Sequence, residues 1–300
     1  MRAGILGLRS SGKSTLFKIL TGSSSKEGNL TLYDERVEEL SKIFNPKKTT
    51  HAYIEVHDID DFERNIQKSS LYDVFIFVIR NGKELLDLKY KMIISDLKAI
   101  ETRMENLRKK GKNEEVKILE KLKNHLENEE FLCSIKIEQN FLNDMNLITL
   151  KPFIVVYNVF EGENIENLDV DIITNLKLQE EVLSLNEEER MEFLRLYNFE
   201  EIKPKIISLL KEKLNIILFF TVGEKEVRSW IIQKGKTAKD CARKIHSDLE
   251  KGFIRAEVIN YSEFISLKSM KLAKERGLVR IEGKDYIVND GDIIYIRSSI

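Results

Sequence analysis

Cysteine and proline are almost absent, with two and three residues in a chain of 300. Cys133 and Cys241 lie far apart, so they give no disulfide framework and no paired spacing for a metal, which points to a reducing compartment. Three prolines and 14 glycines leave little material for long flexible linkers. An excess of one charge is missing too: 49 basic and 50 acidic residues give a formal net charge of −1. The whole molecule is therefore no electrostatic magnet for nucleic acid, which leaves only local basic patches open. No apolar run approaches the ~20 residues that span a bilayer. The stretch Ile216–Val222 is far shorter and reads as a buried strand. Met1–Gly7 leads directly into a motif and leaves no room for a signal peptide. These absences predict a cytoplasmic protein with no membrane partner.

What is present is core material: 42% of residues are hydrophobic and 33% charged. The length predicts two or three domains. The start alternates strand and helix. Ala3–Leu6 is a short apolar strand, Gly7–Gly12 a glycine- and serine-bearing turn, and Ser14–Leu20 a helix. Tyr53–Val56, Val74–Ile79 and Phe153–Tyr157 are further apolar strands, and strands spaced by helices imply a parallel sheet. Between the last two, Leu97, Ile100, Met104 and Leu107 repeat at helical spacing. Gly111 interrupts the run, and Val116, Leu119, Leu122 and Leu126 resume it. That pattern predicts an antiparallel helical hairpin with a basic tip, Arg108, Lys109, Lys110 and Lys112, either a solvated turn or a contact site.

From about Ile216 the texture changes. Strands are predicted at Ile216–Thr221, Glu226–Ile232, Ala256–Asn260 and Asp292–Arg297, with one helix from Ala238 to about Leu249 capped by Thr237. Asn289–Asp292 reads as a turn before the last strand. This part is mildly basic and reads as a small α+β domain.

Gly7-Leu8-Arg9-Ser10-Ser11-Gly12-Lys13-Ser14 fits G-x-x-x-x-G-K-[ST] between a predicted strand and a predicted helix, the context this phosphate-binding loop requires. Glycines let backbone N–H groups turn inward around phosphate oxygens, and the helix N-terminus adds positive potential. Lys13 is expected to bridge the terminal phosphates and the Ser14 hydroxyl to ligate Mg²⁺. The nucleotide-binding set is Arg9, Ser10, Ser11, Gly12, Lys13, Ser14 and Thr15. The motif alone serves GTPases, ATPases and small-molecule kinases alike, although no arginine-rich lid supports a kinase. Phe153–Tyr157 runs into Asn158-Val159-Phe160-Glu161, where regulatory GTPases carry N-K-x-D. Val159 and Glu161 replace the lysine and aspartate, which weakens selectivity for guanine. Asn158 is placed to brace the phosphate loop; an ordinary strand exit is the alternative.

These motifs together resemble the YchF subfamily of Obg-related P-loop NTPases. The opening Gly4–Leu8 and Ser11–Phe17 are similar to that family's start, and Asn158-Val159-Phe160-Glu161 matches its N-V-x-E element. Phe219–Trp230, Ile245–Ile259 and Glu282–Asp292 resemble its C-terminal TGS domain. The resemblance implies an α/β fold: a P-loop NTPase parallel sheet over 1–80 and 149–215, an inserted coiled-coil α-helical hairpin over 81–148, and a C-terminal TGS-like β-grasp α+β domain over 216–300. It implies binding of ATP and/or GTP, with Asn158, Val159 and Glu161 at the base and Ser14 and Asp58 at a Mg²⁺ ion. The hairpin and C-terminal domain would touch RNA or the ribosome.

The stretch Ser23–Leu71 departs from the family. Ser23–Thr31 lacks its T-I-x-P-N switch segment, and Asp61 stands where D-x-A-G has glycine, bringing a negative charge to the terminal phosphate. The family's mobile-loop histidine has no counterpart in a loop shortened to about Asn81–Lys89, and its S-A segment is not evident near Thr174–Gln179. No catalytic residue is assigned. His57, beside Asp58, is expected to be structural or exposed rather than a base, and His246 to pack or cap. Two functions follow: a ribosome-associated nucleotide-binding protein with slow or impaired hydrolysis, or a degenerate paralogue acting as an interaction module.

Overall fold

The computed structural model describes residues 1–60, 66–135, 142, 145–160 and 168–299. The chain forms two compact units: Met1–Leu30 with Ile54–Lys213, and Thr31–Tyr53 with Leu214–Ile300. In chain order the first half contains β1 (Arg2–Leu6), α1 (Lys13–Thr21), β2 (Glu27–Thr31), α2 (Glu35–Phe44), β3 (Lys48–Thr50), β4 (Tyr53–Asp58) and β5 (Val74–Ile79). The helical pair α3 (Gly82–Lys109) and α4 (Asn113–Glu127) follows, then β6 (Phe153–Asn158), β7 (Ile172–Thr174), α5 (Leu176–Ser184), α6 (Glu187–Leu196) and α7 (Ile202–Lys213).

The first unit is built on a six-stranded sheet of order β2-β4-β1-β5-β6-β7. The pairs β1·β4, β1·β5, β5·β6 and β6·β7 are parallel, as the strand–helix alternation requires. All six residues of β5 are buried, the composition of a strand covered on both faces. The hairpin forms as its periodicity predicts. Gly111, at φ +69, turns the chain in a left-handed conformation that favours glycine. Ile100, Met104 and Leu107 of α3 and Val116, Leu119, Leu122 and Leu126 of α4 join Phe77 and Tyr157 in one core cluster. Ion pairs Glu101–Lys123 and Arg108–Glu120 close the outer side in antiparallel order. Residues 82–89, read as a shortened loop, are the first turns of α3. Asn81 caps them, its side chain accepting the Glu84 N–H at 3.0 Å.

The second half runs β8 (Ile216–Thr221), β9 (Glu226–Gln233), α8 (Ala238–Ile245), α9 (Ser247–Lys251), β10 (Phe253–Asn260), α10 (Tyr261–Leu267), α11 (Met270–Glu275), β11 (Arg280–Glu282) and β12 (Asp292–Ser298). Its mixed sheet has the order β11-β10-β12-β8-β9-β3. Ala238 and Cys241 of α8 pack with Phe219, Ile232, Ala256, Val258 and Ile294 on one face. Thr237 caps α8 in a full capping box with Asp240. The single helix expected to reach Leu249 is interrupted at His246. That residue is extended, and its side chain caps α9 by accepting the Asp248 N–H. The expected boundaries put residues 31–53 with the phosphate loop, whereas the structure groups them with the C-terminal residues. β3 pairs in parallel with β9, the Ala52 N–H donates to Ser229 Oγ at 2.8 Å, and Arg36 bonds Asp290 at 2.8 Å. No helix among the described residues is long and apolar enough to cross a membrane.

Candidate phosphate and cation site

The loop between β1 and α1 is shaped by glycine where no side chain fits. A Cβ on Gly7 would lie 2.4 Å from the Val78 carbonyl oxygen and 2.5 Å from Ser11 Oγ. Gly12, the residue before α1, has φ +104, and Ser10 has φ +61. This alternation turns successive N–H groups to one side and makes an anion cradle. No side chain caps α1, so its first amides are left for another acceptor. Arg9 and Ser10 are exposed and Thr15 is half-buried, so Arg9 does not plug the turn. Ser11 is buried, and its Oγ has no hydrogen-bond partner.

Asn158, at the C-terminal end of β6, braces this loop. Its Nδ2 donates to the Ser11 carbonyl at 2.8 Å, and its Oδ1 accepts the Leu176 N–H at 3.0 Å. Near Thr174–Gln179, where no S-A element is legible, the backbone at Leu176 thus still reaches the loop's brace. Val159 is half-buried, and its N–H donates to the Thr174 carbonyl at 2.9 Å. Beyond it the Arg80 guanidinium lies 4.0 Å over the Phe160 ring. Glu161 and Asp61 lie outside the described residues.

Ser14 and Asp58, the residues expected at the cation, meet: Ser14 Oγ donates to Asp58 Oδ2 at 2.6 Å. Asp58 is buried, and its other oxygen, Oδ1, has no partner. A hydroxyl beside a buried carboxylate with an unused oxygen is a donor set that fits a small oxygen-seeking cation such as Mg²⁺. Lys13 is half-buried, and its Nζ lies 3.5 Å from the Ile59 carbonyl oxygen. Burial holds its ammonium below the usual lysine range, and Asp58 opposes that shift.

His57 points away from this centre. Its Nε2 lies 2.9 Å from Glu55 Oε1, its ring meets Tyr72 edge-on, and Glu55 also binds Arg2 at 2.8 Å. Those partners hold the Glu55 carboxyl below its usual range, Arg2 more than His57. Glu27, Glu55 and His57 bring ligand atoms within 4.8 Å of one another, but Arg2 already pairs with Glu55, and the group reads as an ion-pair network. Sequence reasoning did not find this network, nor the Arg80–Phe160 stack. Glu55 and His57 are two apart on a strand, and that spacing was the available signal.

Residues 216–299 match the family YchF-GTPase_C, described as a protein of unknown function (DUF933). The ribosome-binding ATPase YchF of Buchnera aphidicola (subsp. Acyrthosiphon pisum) is 33% identical over 361 positions, which cover 100% of this chain and 99% of that protein. The ribosome-binding ATPase YchF of Bacillus subtilis is 31% identical, covering 100% of both chains. The structure of the Schizosaccharomyces pombe YchF GTPase superposes with a TM-score of 0.87 at 25% identity, covering 99% of this chain and 97% of that one. A GTP-binding protein from Pyrococcus horikoshii shares the fold, with a TM-score of 0.65 at 16% identity. A phosphate loop braced from the end of β6, whole-length relatives on both sequence and structure, and a matching C-terminal segment lead to one assignment: the chain belongs to the YchF family.

Proposed function

We propose that this protein binds ATP and/or GTP with Mg²⁺, works in the cytoplasm in association with the ribosome, and hydrolyses nucleotide slowly or not at all. The observation that carries the reading is the convergence on one loop of Lys13, the uncapped start of α1, the Ser14–Asp58 pair and the Asn158 brace. Residues 9–15 would cradle the phosphates. Asn158, Val159 and Glu161 would define the base pocket, where the missing lysine and aspartate favour ATP over strict guanine selection. Ser14 and Asp58 would hold Mg²⁺, which when bound would neutralise phosphate charge. The names of the relatives, ribosome-binding ATPases, support the ribosome as partner. The hairpin over 81–148 and a TGS-like β-grasp domain over 216–300 would make that contact.

A second reading, a binding module without turnover, is favoured by Asp61 in place of glycine and by residues 82–89 forming helix where the family carries a histidine loop. Calorimetric titration with Mg-ATP and Mg-GTP, beside turnover assays of the parent and Lys13→Ala, separates the two. Turnover lost in Lys13→Ala supports the hydrolase, and tight binding without turnover supports the module. Absence of micromolar binding by either nucleotide removes both.

A further inference from the structure

We propose that Lys26 is a second phosphate-binding cation, which exchanges its partner Asp60 for the terminal phosphate of a bound nucleoside triphosphate. The proposal rests on the nucleotide-binding reading above and adds to it a residue that no motif marks.

Lys26 stands immediately before β2. The Asp58 N–H donates to its carbonyl at 2.9 Å, so the residue is fixed beside the cation-side carboxylate. Its side chain is 68% exposed and ion-paired with Asp60, two residues beyond Asp58. It borders two open cavities that meet at Asp58. One, of about 230 Å³, is lined by Ser14, Ser23, Ser24 and Ser25 among others. The other, of about 540 Å³, reaches Ile59 and Asp60. The Ile59 carbonyl also receives Lys13 Nζ, so both lysines approach the same turn of chain.

Two ammonium groups beside one turn of chain repel each other, and a phosphate anion placed between them would be attracted to both. In this loop chemistry the diphosphate lies in the backbone cradle, and the third phosphate extends toward the lysine and the cation ligands. Ser14, Asp58 and Lys26 line one cavity, so a phosphate reaching that side would meet Lys26. The Asp60 carboxylate would repel a terminal phosphate there; Lys26 screens it when the phosphate is absent and can turn to the phosphate when it is present. Ser23–Thr31 lacks the T-I-x-P-N switch pattern of the family and Asp61 stands in place of its glycine, and Lys26 would supply a charge-assisted donor on this side.

The test is calorimetric affinity for Mg-ATP and Mg-ADP, or Mg-GTP and Mg-GDP should guanine bind better, in the parent, Lys26→Ala, Asp60→Asn and Lys13→Ala. Lys26 is exposed, and an unchanged melting curve verifies that Lys26→Ala folds. In Lys26→Ala the triphosphate affinity is expected to fall about tenfold with diphosphate affinity unchanged, the weight of one charge-assisted hydrogen bond. In Asp60→Asn the triphosphate preference is expected to rise. A triphosphate-to-diphosphate ratio that stays at the parent value in Lys26→Ala overturns the proposal, and an unchanged ratio in Asp60→Asn overturns the exchange. If Lys13→Ala loses both nucleotides while Lys26→Ala keeps the ratio, the nucleotide reading stands and this inference falls. A parent that binds neither nucleotide overturns both.

Discussion

At Asn158 the side-chain amide must donate to the Ser11 carbonyl and accept the Leu176 N–H at the same time. An amide offers a donor and an acceptor side by side, and a carboxylate offers only acceptors. The pair is buried, so truncation leaves both backbone groups without water or partner. Asn158→Ala is therefore expected to destabilise the first unit by about 2 kcal/mol, one to a few for each orphaned buried group. Asn158→Asp should do comparable harm by setting an anion against the Ser11 carbonyl. The single tryptophan, Trp230, lies in the other unit, so urea unfolding followed by circular dichroism is the appropriate measurement; a loss below about 0.5 kcal/mol would show that the brace carries no weight. Both variants should also weaken nucleotide binding, because Gly12 leaves no slack: a Cβ there would sit 2.6 Å from Asn158 Nδ2. At this scale the sequence was informative wherever a motif fixed both residue type and spacing. The motif pointed to Lys13 and Ser14 and the resemblance to Asp58 and Asn158; in the fold Ser14 bonds Asp58 and Asn158 bonds the Ser11 carbonyl. Lys26 and Arg2 were not legible, because their roles come from a strand pairing and an ion pair that no local pattern announces.

Among elements, those with continuous apolar runs were readable. The expected Val74–Ile79 and Ile216–Thr221 coincide with β5 and β8, and the hairpin's heptad-like spacing produced α3 and α4. Elements held by distant partners were not. β3 is three polar residues, and it is a strand because Lys48–Thr50 lie along Glu226–Arg228, about 178 residues later in the chain. The helix after Thr237 looked continuous because Ala238, Cys241, Ala242, Ile245 and Leu249 keep helical spacing; His246 breaks it by capping the next turn. The β10–β12–α11 junction offers an element-scale test. Glu257 on β10 binds Lys274 of α11 at 2.8 Å and Arg297 of β12 at 2.7 Å. Lys274 first, then Arg297, hold the Glu257 carboxyl below its usual range. A depressed carboxylate stabilises the fold above its unfolded pKa, and that contribution is lost as pH falls through the folded value. Glu257→Gln should cost about 0.5–1 kcal/mol at pH 7, the scale of solvent-reached ion pairs. The two proteins should converge as the pH drops toward 3. Urea unfolding followed by Trp230 fluorescence reads this unit directly, and a deficit that persisted undiminished at pH 3 would assign it to packing instead of charge.

On the scale of the whole molecule, the chain keeps the family's architecture with less sequence. The alignment to the Buchnera relative runs over 361 positions against 300 residues here, yet the yeast structure still superposes over 99% of this chain. Ser23–Thr31 lacks the switch pattern that the resemblance leads one to expect, and Asp61 stands in place of glycine, which is why a binding role is argued more firmly than turnover. A net charge of −1 gives no general attraction to RNA, so ribosome association has to come from a local patch. The hairpin tip is the candidate, and its four basic residues are not equivalent. Arg108 is paired with Glu120 and Lys112 with Glu115, both within the hairpin, while Lys109 and Lys110 are exposed at the turn. Phosphate contacts release counterions and weaken with salt. Charge reversal by Lys109→Glu with Lys110→Glu should therefore reduce co-sedimentation with ribosomes strongly at low salt and flatten its salt dependence. Reversal at Arg108 and Lys112 should have a smaller effect, since their charges are already partly spent on glutamates. Co-sedimentation that survives Lys109→Glu with Lys110→Glu unchanged would make the tip a solvated turn and move the search for the ribosome contact to the C-terminal unit.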